Sequence, residues 1–304
     1  MLALVVAALV AVPQNGSNPE LASRIRHLVD VAFANGEGAG SAAEVRGIFA
    51  EHGLPTIALV GTDAAEEFVV LSAHEQPLEF TDEVLAAAER DADAVPPHVI
   101  QFLRARIKQK RVEIALRPPF PNAALAARLQ TLYVADQEVR SADRFDAAKM
   151  METDARTGRD VRAIFQEVGV PTRSTVGPEA ARHFVIMVQH QPPELRRAVL
   201  PKLRENVDRG EADPGDFAMM FDRAQVDDGK MQRYGANFAC QPDGTLGPSP
   251  IDDAEHVDVR RAELGLLPMR LYARLLRQSM PPDFCKKVAT APERNSPLFS
   301  SFRI

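Results

Sequence analysis

The chain reads as a mainly α-helical protein built from two tandem copies of one helical domain, the second with an added small β-hairpin. Three observations predict this. Residues Val45 to His74 align with Val161 to His190 at a constant offset of 116, without a gap, and 15 of the 30 pairs are identical. Self-similarity at one fixed period is the mark of a duplication. Apolar residues recur at helical spacing in both halves: Ala22, Ile25, Leu28, Val29 and Ala32 in the first, Leu125, Leu129, Leu132 and Tyr133 in the second. Only the second half continues into two extended runs, Gln232 to Gln241 and Thr245 to Ile251, parted by an Asp243-Gly244 turn.

The elements follow in order. Residues 1–16 hold an unbroken apolar run, Met1 to Val12, then Pro13. It is too short to span a bilayer and fits an export segment, with Leu9 and Ala11 suited to flank a cleavage site. A buried first helix is the competing reading, because no basic residue precedes the run. Residues 20–117 form the first copy, degenerate in its polar groups, and 122–280 the second; Pro118-Pro119 and Pro121 stop any helix between them. Matched short helices, Ala43 to His52 and Asp160 to Val168, end at Gly53 and Gly169, with Pro55 and Pro171 just beyond. After Gly61 and Gly177 come helices Ala64 to Glu75 and Pro178 to Gln191, although Phe184 to Val188 also suits a short buried strand. Leu85 to Asp91, Leu200 to Asp208, Val99 to Lys110 and Asp216 to Asp227 read as further helices. Ser141 to Glu152 reads as an insertion found only in the second copy. Asp252 to Gly265 and Pro268 to Gln278 are the last two helices, and 281–304 reads as a flexible tail. Gly36 to Gly40 is a Gly-rich loop without the Lys of a phosphate-binding loop.

Composition narrows the function. A net charge of -6 and a pI near 5.7 oppose nucleic-acid binding, which rests on neutralising phosphates. No span long enough to cross a membrane follows the first residues, so the mature chain has no membrane span. Export places the protein in the periplasm or outside the cell; if the apolar run is a core helix, it is cytoplasmic. Cys240 and Cys285 are the only cysteines. They form one disulfide or stay as two thiols, and neither stands in a zinc spacing. No cofactor signature is present.

Comparing the halves singles out candidate site residues. Asp136 and Gln137 face Ala32 and Phe33, Gln189 faces Ala73, and Asp222 faces Ala105. Polar groups in apolar helices are costly unless paired. The second half keeps them and the first does without, which suggests one cluster. That cluster is either a cleft lined by Asp136, Gln137, Arg140, Gln189, His190, Asp222 and Arg223, or a buried hydrogen-bond network.

The second half resembles an uncharacterised bacterial family, domain of unknown function 6624, over about residues 125–275. The resemblance rests on Asp136-Gln137, Gly169-Val170-Pro171 with Gly177, Gln189-His190, Asp222-Arg223 and Gln232-Arg233-Tyr234-Gly235. The family's Thr-Gln after that last stretch is Ala236-Asn237 here. The resemblance implies no known reaction, but it adds Gln232 and Tyr234 to the ligand-binding candidates.

Three functions follow. A ligand-binding or structural module is favoured, its partner a small molecule, peptide or glycan. In a hydrolase or transferase, Asp136 or Asp222 works with His190 as an acid–base pair, while Arg140 or Arg223 binds an anion and the glutamines recognise amides or sugars. Against a catalytic His190 stands His74, retained in the first half without the companions. A metal held by Asp136, Asp222 and His190 is the weakest of the three, since no ligand spacing supports it.

Overall fold

The computed structural model describes residues 16–35, 41–74, 76–91, 93–141, 146–281 and 283–286. The expected export segment, apart from Gly16, the Gly-rich loop, part of the insertion and most of the expected tail lie outside the described residues. The chain is mainly helical with one small antiparallel sheet, and it divides between Ile107 and Lys108 into two compact units.

The first unit contains α1 (Pro19–Asn35), α2 (Ala42–His52), α3 (Ile57–Val60), α4 (Thr62–Ala73), α5 (Leu78–Arg90) and the start of α6 (Pro97–Ala115). Its centre is α4, buried continuously from Ala64 to Ala73. The apolar residues Ala64, Ala65, Phe68, Val69, Val70, Leu71 and Ala73 leave this helix little face for solvent, and α1, α2 and α5 pack around it. Ile25, Val29, Val45, Ile48, Phe68, Val84 and Leu103 fill the space between them.

The second unit has a similar order of helices in its first part. It has α7 (Ala123–Ser141), α8 (Ala147–Val168), α9 (Arg173–Val176), α10 (Pro178–Gln189), α11 (Pro193–Asp208) and α12 (Pro214–Asp227). Its buried centre is α10, against which α7, α8, α9, α11 and α12 pack. Phe184 to Val188 is therefore helix, not strand. The matched glycines share backbone geometry as well. Gly61 has φ 83° and ψ 163°, and Gly177 has φ 87° and ψ 158°. Only glycine adopts that region without strain. A Cβ at Gly177 would also lie 2.8 Å from the Phe120 ring.

Several elements depart from the sequence expectation, and α5 starts at Leu78 rather than Leu85. α8 starts at Ala147 rather than Asp160, so much of the expected insertion is helix. Asp146 caps it, accepting from the Lys149 N–H at 3.0 Å. Its buried face runs Thr153, Thr157, Val161, Ile164; the two threonines hide the first turns from an apolar count. α11 starts at Pro193, not Leu200, and continues through Pro201, because Leu195, Val199 and Leu203 form one buried stripe. The hairpin strands shrink to β1 (Phe238–Cys240) and β2 (Leu246–Pro248), paired with Ala239 opposite Gly247. Its turn is as expected: Asp243 Oδ1 accepts from the Thr245 N–H at 2.9 Å, and Gly244 has φ 79°.

Beyond the hairpin, Asp253 turns the chain at φ 45° before a short 3-10 turn, α13 (Val257–Glu263) and α14 (Met269–Ser279). Phe238, Leu246, Tyr272, Leu276 and Cys285 make a small core of their own. Cys240 and Cys285 are disulfide-bonded, which ties the first residues of the expected tail to β1.

The disulfide closes a separation of 45 residues, for which loop-closure entropy gives at most about 4 kcal/mol. Cys285→Ser is expected to cost about 2–4 kcal/mol in chemical denaturation. Thiol titration of the unfolded, unreduced chain should find no free cysteine; two would contradict the bond.

Candidate functional site

α7 is anchored at its start by Asn122, whose N–H donates to the Thr175 carbonyl at 2.9 Å and whose Oδ1 accepts from the Leu125 N–H at 3.0 Å. Four turns on, the helix delivers Asp136 to the interior, 0% exposed. Its carboxylate meets three side chains. Gln137 Nε2 donates at 2.8 Å, His190 Nδ1 lies 2.9 Å away, and Arg140 Nη1 is 3.0 Å away. Arg140 Nη2 reaches on to Asp154 of α8 at 2.5 Å. His190 follows the last residue of α10, and its side chain is 5% exposed. Asp136, Gln137, Arg140 and His190 thus come together, with Asp154 as a member that sequence comparison missed. The signal for Asp154 was its place on α8, two turns from the expected start of that helix.

Gln189 sits beside this cluster, and its Oε1 is buried without a partner among the described residues. So are Gln191 Nε2, Thr157 Oγ1 and Arg196 Nε. The Gln191 amide meets Gly158 oxygen-first, and a Cβ there would stand 2.2 Å from its Oε1. Arg196 also donates to the Gln191 carbonyl and to Asp227. Arg223 lies near this group. Burial lowers the pKa of its guanidinium from the usual value, and the Arg196 charge adds to that against Asp227.

Asp222 belongs to a different cluster. Its carboxylate, 0% exposed, accepts from the N–H groups of Arg233 at 2.7 Å, Tyr234 at 3.0 Å and Ala236 at 2.8 Å. Burial pushes this carboxyl up, while the same three N–H groups and the Arg261 charge pull it back. Gln232 is also buried and spans its loop, donating to the carbonyls of Asn237 and Ser249 and accepting from the Asn237 N–H at 2.7 Å. Tyr234 packs edge-on against Phe217 and Phe221. Arg261 donates to the Tyr234 carbonyl at 2.6 Å and lies over the Tyr272 ring at 4.5 Å. Burial pushes the Tyr272 hydroxyl up to about 12. These groups set the course of the loop that leads into β1. Asn237, where the resemblance leads one to expect Gln, is one of the backbone partners of Gln232 in that loop.

An open cleft of about 150 Å³ lies elsewhere, lined by residues of α9, α10 and α12 and the turn before α12. Asp213 caps α12, with Oδ1 taking the N–H groups of Gly215 and Asp216, and its Oδ2 meets Arg173 at 3.2 Å. Asp216 is 5% exposed and meets only the Arg182 Nε among the described residues, at 3.3 and 3.4 Å. Those distances are long for a charge-assisted bond. Burial, with Asp213 beside it, therefore outweighs Arg182 and Arg173, and the Asp216 carboxyl is raised to about 7. The gapless alignment covers Arg173 and Arg182 but ends before Asp213 and Asp216, so the sequence comparison did not bring these four residues together.

Among the described residues, no group of three His, Cys, Asp or Glu side chains is placed to hold a metal ion. No helix among them is long and apolar enough to cross a membrane. The second unit is thus a helical domain with two buried carboxylate hubs and one open, charged cleft. The chain belongs to the Family of unknown function (DUF6624), whose sequence model matches residues 125–282, just over half of its length. No curated protein and no solved structure matches it.

The raised Asp216 carboxyl sets a pH dependence. Its folded value, about 7, lies above the unfolded value of 3.8, so the folded state holds the proton more tightly. Stability from this group is fully present below the unfolded value and is lost as pH rises to about 7. Denaturation curves between these pH values should therefore show a decline that Asp216→Asn flattens. An unchanged decline in the variant would assign it to other groups.

Proposed function

We propose that residues 125–282 form a non-catalytic ligand-binding module on a duplicated helical scaffold, in a chain that is exported. The non-catalytic part rests on one observation. Asp136 has no exposed surface, and its oxygens are committed to Gln137, Arg140 and His190. A general acid or base must reach a substrate proton within hydrogen-bond range. A sealed carboxylate bonded on every side is suited to holding helices in register. Asp222, committed to three backbone N–H groups, fits the same role.

Duplication is supported by the 15 identities in 30 pairs and by elements of equal length at the same offset. Ile57–Val60 and Arg173–Val176 match, as do Thr62–Ala73 and Pro178–Gln189. His74 and His190 both follow the last residue of their helices. The first half retains the histidine while Ala32 replaces Asp136, as expected of a residue the scaffold tolerates without the network. Export is supported by the apolar run at the N-terminus and by the Cys240–Cys285 bond, which suits an oxidising compartment.

A second reading has one observation in its favour. Asp136 meets His190 through Nδ1, the contact that orients an imidazole in acid–base dyads. A hydrolase or transferase acting on a peptide or glycan would use it.

Asp136→Ala separates the two. It leaves Arg140 and His190 without their buried partner, and breaking such a buried pair costs about 3–5 kcal/mol. A loss of that size, read by urea denaturation, is the expected result. Unchanged or increased stability would sink the structural reading and favour a site, since site residues are often removed without loss of stability.

A further inference from the structure

We infer that the cleft formed by α9, α10 and the start of α12 binds a small carboxylate, with Arg182 taking its charge and Asp216 sharing a proton with it. This names a ligand for the module and rests on the ligand-binding reading above.

Four features of the cleft lead there. First, Arg182 uses only Nε on Asp216; its two Nη groups donate to nothing among the described residues. Its side chain is 32% exposed, so those groups can reach a solute. A guanidinium presents paired donors that match the two oxygens of a carboxylate. Second, Asp216 is a buried acid with unused hydrogen-bonding capacity at the wall of a cavity. In its protonated form it has one O–H to donate, and a ligand carboxylate is the acceptor that bonds it most strongly. Third, Ala181, Val185 and Ala212 give the cleft an apolar floor. That floor suits a short hydrocarbon tail, and about 150 Å³ accommodates roughly five to seven heavy atoms.

Fourth, the matching positions of the first half lack this chemistry. The fifth residue of α10 is Arg182, and the fifth of α4 is Glu66. The third residue of α12 is Asp216, and the third of α6 is Val99. The first residue of α9 is Arg173, and the first of α3 is Ile57. Glu66 bonds His98 at 2.8 Å instead. The scaffold thus forms without the charges of the cleft.

The charges around Asp216 come from each neighbouring element. Asp213 precedes it on its own helix, Arg182 and Glu179 come from α10, and Arg173 from α9. From α11, Arg204 lies over the adjacent Phe217 ring at 5.4 Å. Asp213 is already paired with Arg173, and Arg173 also meets Glu113 at 3.3 Å. A neutral Asp216 leaves Arg182 without an ion-pair partner among the described residues; Glu179 is the remaining anion on the lining, and the paired Nη donors of Arg182 still fit a carboxylate and not an amine. Because a deprotonated Asp216 would repel a bound carboxylate, binding weakens as pH rises through about 7.

The test is an amide NMR titration of the full chain with propionate, and with ethylammonium as the cationic counterpart. Saturable shifts are expected for residues of α10 and α12 at the cleft with propionate. Affinity should fall by roughly 30-fold between about pH 5.5 and about pH 8.5, the change in the protonated fraction of an acid near 7. Asp216→Asn, which keeps a neutral donor, should bind equally at both pH values, and Arg182→Gln should lose binding. Arg182→Lys guards against a folding defect and should retain weakened binding. No saturation by propionate, a preference for ethylammonium, or tighter binding at high pH would overturn the proposal. Such a failure leaves the stability of the Asp136 variant unchanged, so it is distinguishable from failure of the structural reading.

Discussion

A single buried carboxylate sets the terms for the second unit. Asp136 is carried into the interior by α7, and an uncompensated charge there would cost several kcal/mol. The cost is met by His190, just past the end of α10, at 2.9 Å, by Arg140 one turn away at 3.0 Å and by Gln137 at 2.8 Å. Arg140 in turn reaches Asp154, so α8 is joined to the same network. Apolar packing of α7 and α8 on α10 tolerates small sliding. A directional network of charged groups does not, and it selects one register out of several that the apolar surfaces would allow.

The same logic recurs in the final third of the unit with different partners. Asp222 gathers backbone N–H groups, not side chains, and so dictates the path of the segment from Arg233 to Ala236. Gln232 closes that segment onto Ser249, and the Tyr272 hydroxyl donates to the Ala236 carbonyl at 3.0 Å. A short sheet of two three-residue strands is marginal by itself. Here it is held from one side by these polar ties and from the other by the Cys240–Cys285 bond. The open cleft lies apart from both hubs in its residues, and its charges are the less completely satisfied ones.

Much of this was legible in the sequence, for identifiable reasons. The gapless self-alignment marked the matched helices and their glycine turns, because identical residues meet identical backbone demands at Gly61 and Gly177. It also marked Asp136, Gln137 and Gln189, since a polar residue facing an apolar one stands out, whereas His190 faces an identical His74. It did not separate Asp136 from Asp222, which share composition and differ only in whether side chains or backbone N–H groups answer them. The start of α8 was hidden because Thr153 and Thr157 bury polar atoms where periodicity counts apolar ones. The expected helix at Leu200 to Asp208 missed the first turns of α11, where the buried stripe from Leu195 to Leu203 carries the helix through Pro201 despite its missing donor. The cleft was only partly within reach of the comparison: Arg173 and Arg182 lie inside the gapless alignment, but Arg182 faces another charged residue, Glu66, and Asp213 and Asp216 lie beyond it.

The coupling between Asp136 and His190 is the most direct measure of whether this contact organises the unit. A double-mutant cycle with Asp136→Asn and His190→Gln, followed by urea denaturation, isolates it from the effects of each residue alone. The buried network predicts a coupling of about 1–3 kcal/mol, with the double variant losing much less than the sum of the two single losses. Additive losses, with a coupling near zero, would mean that the contact is incidental to the fold.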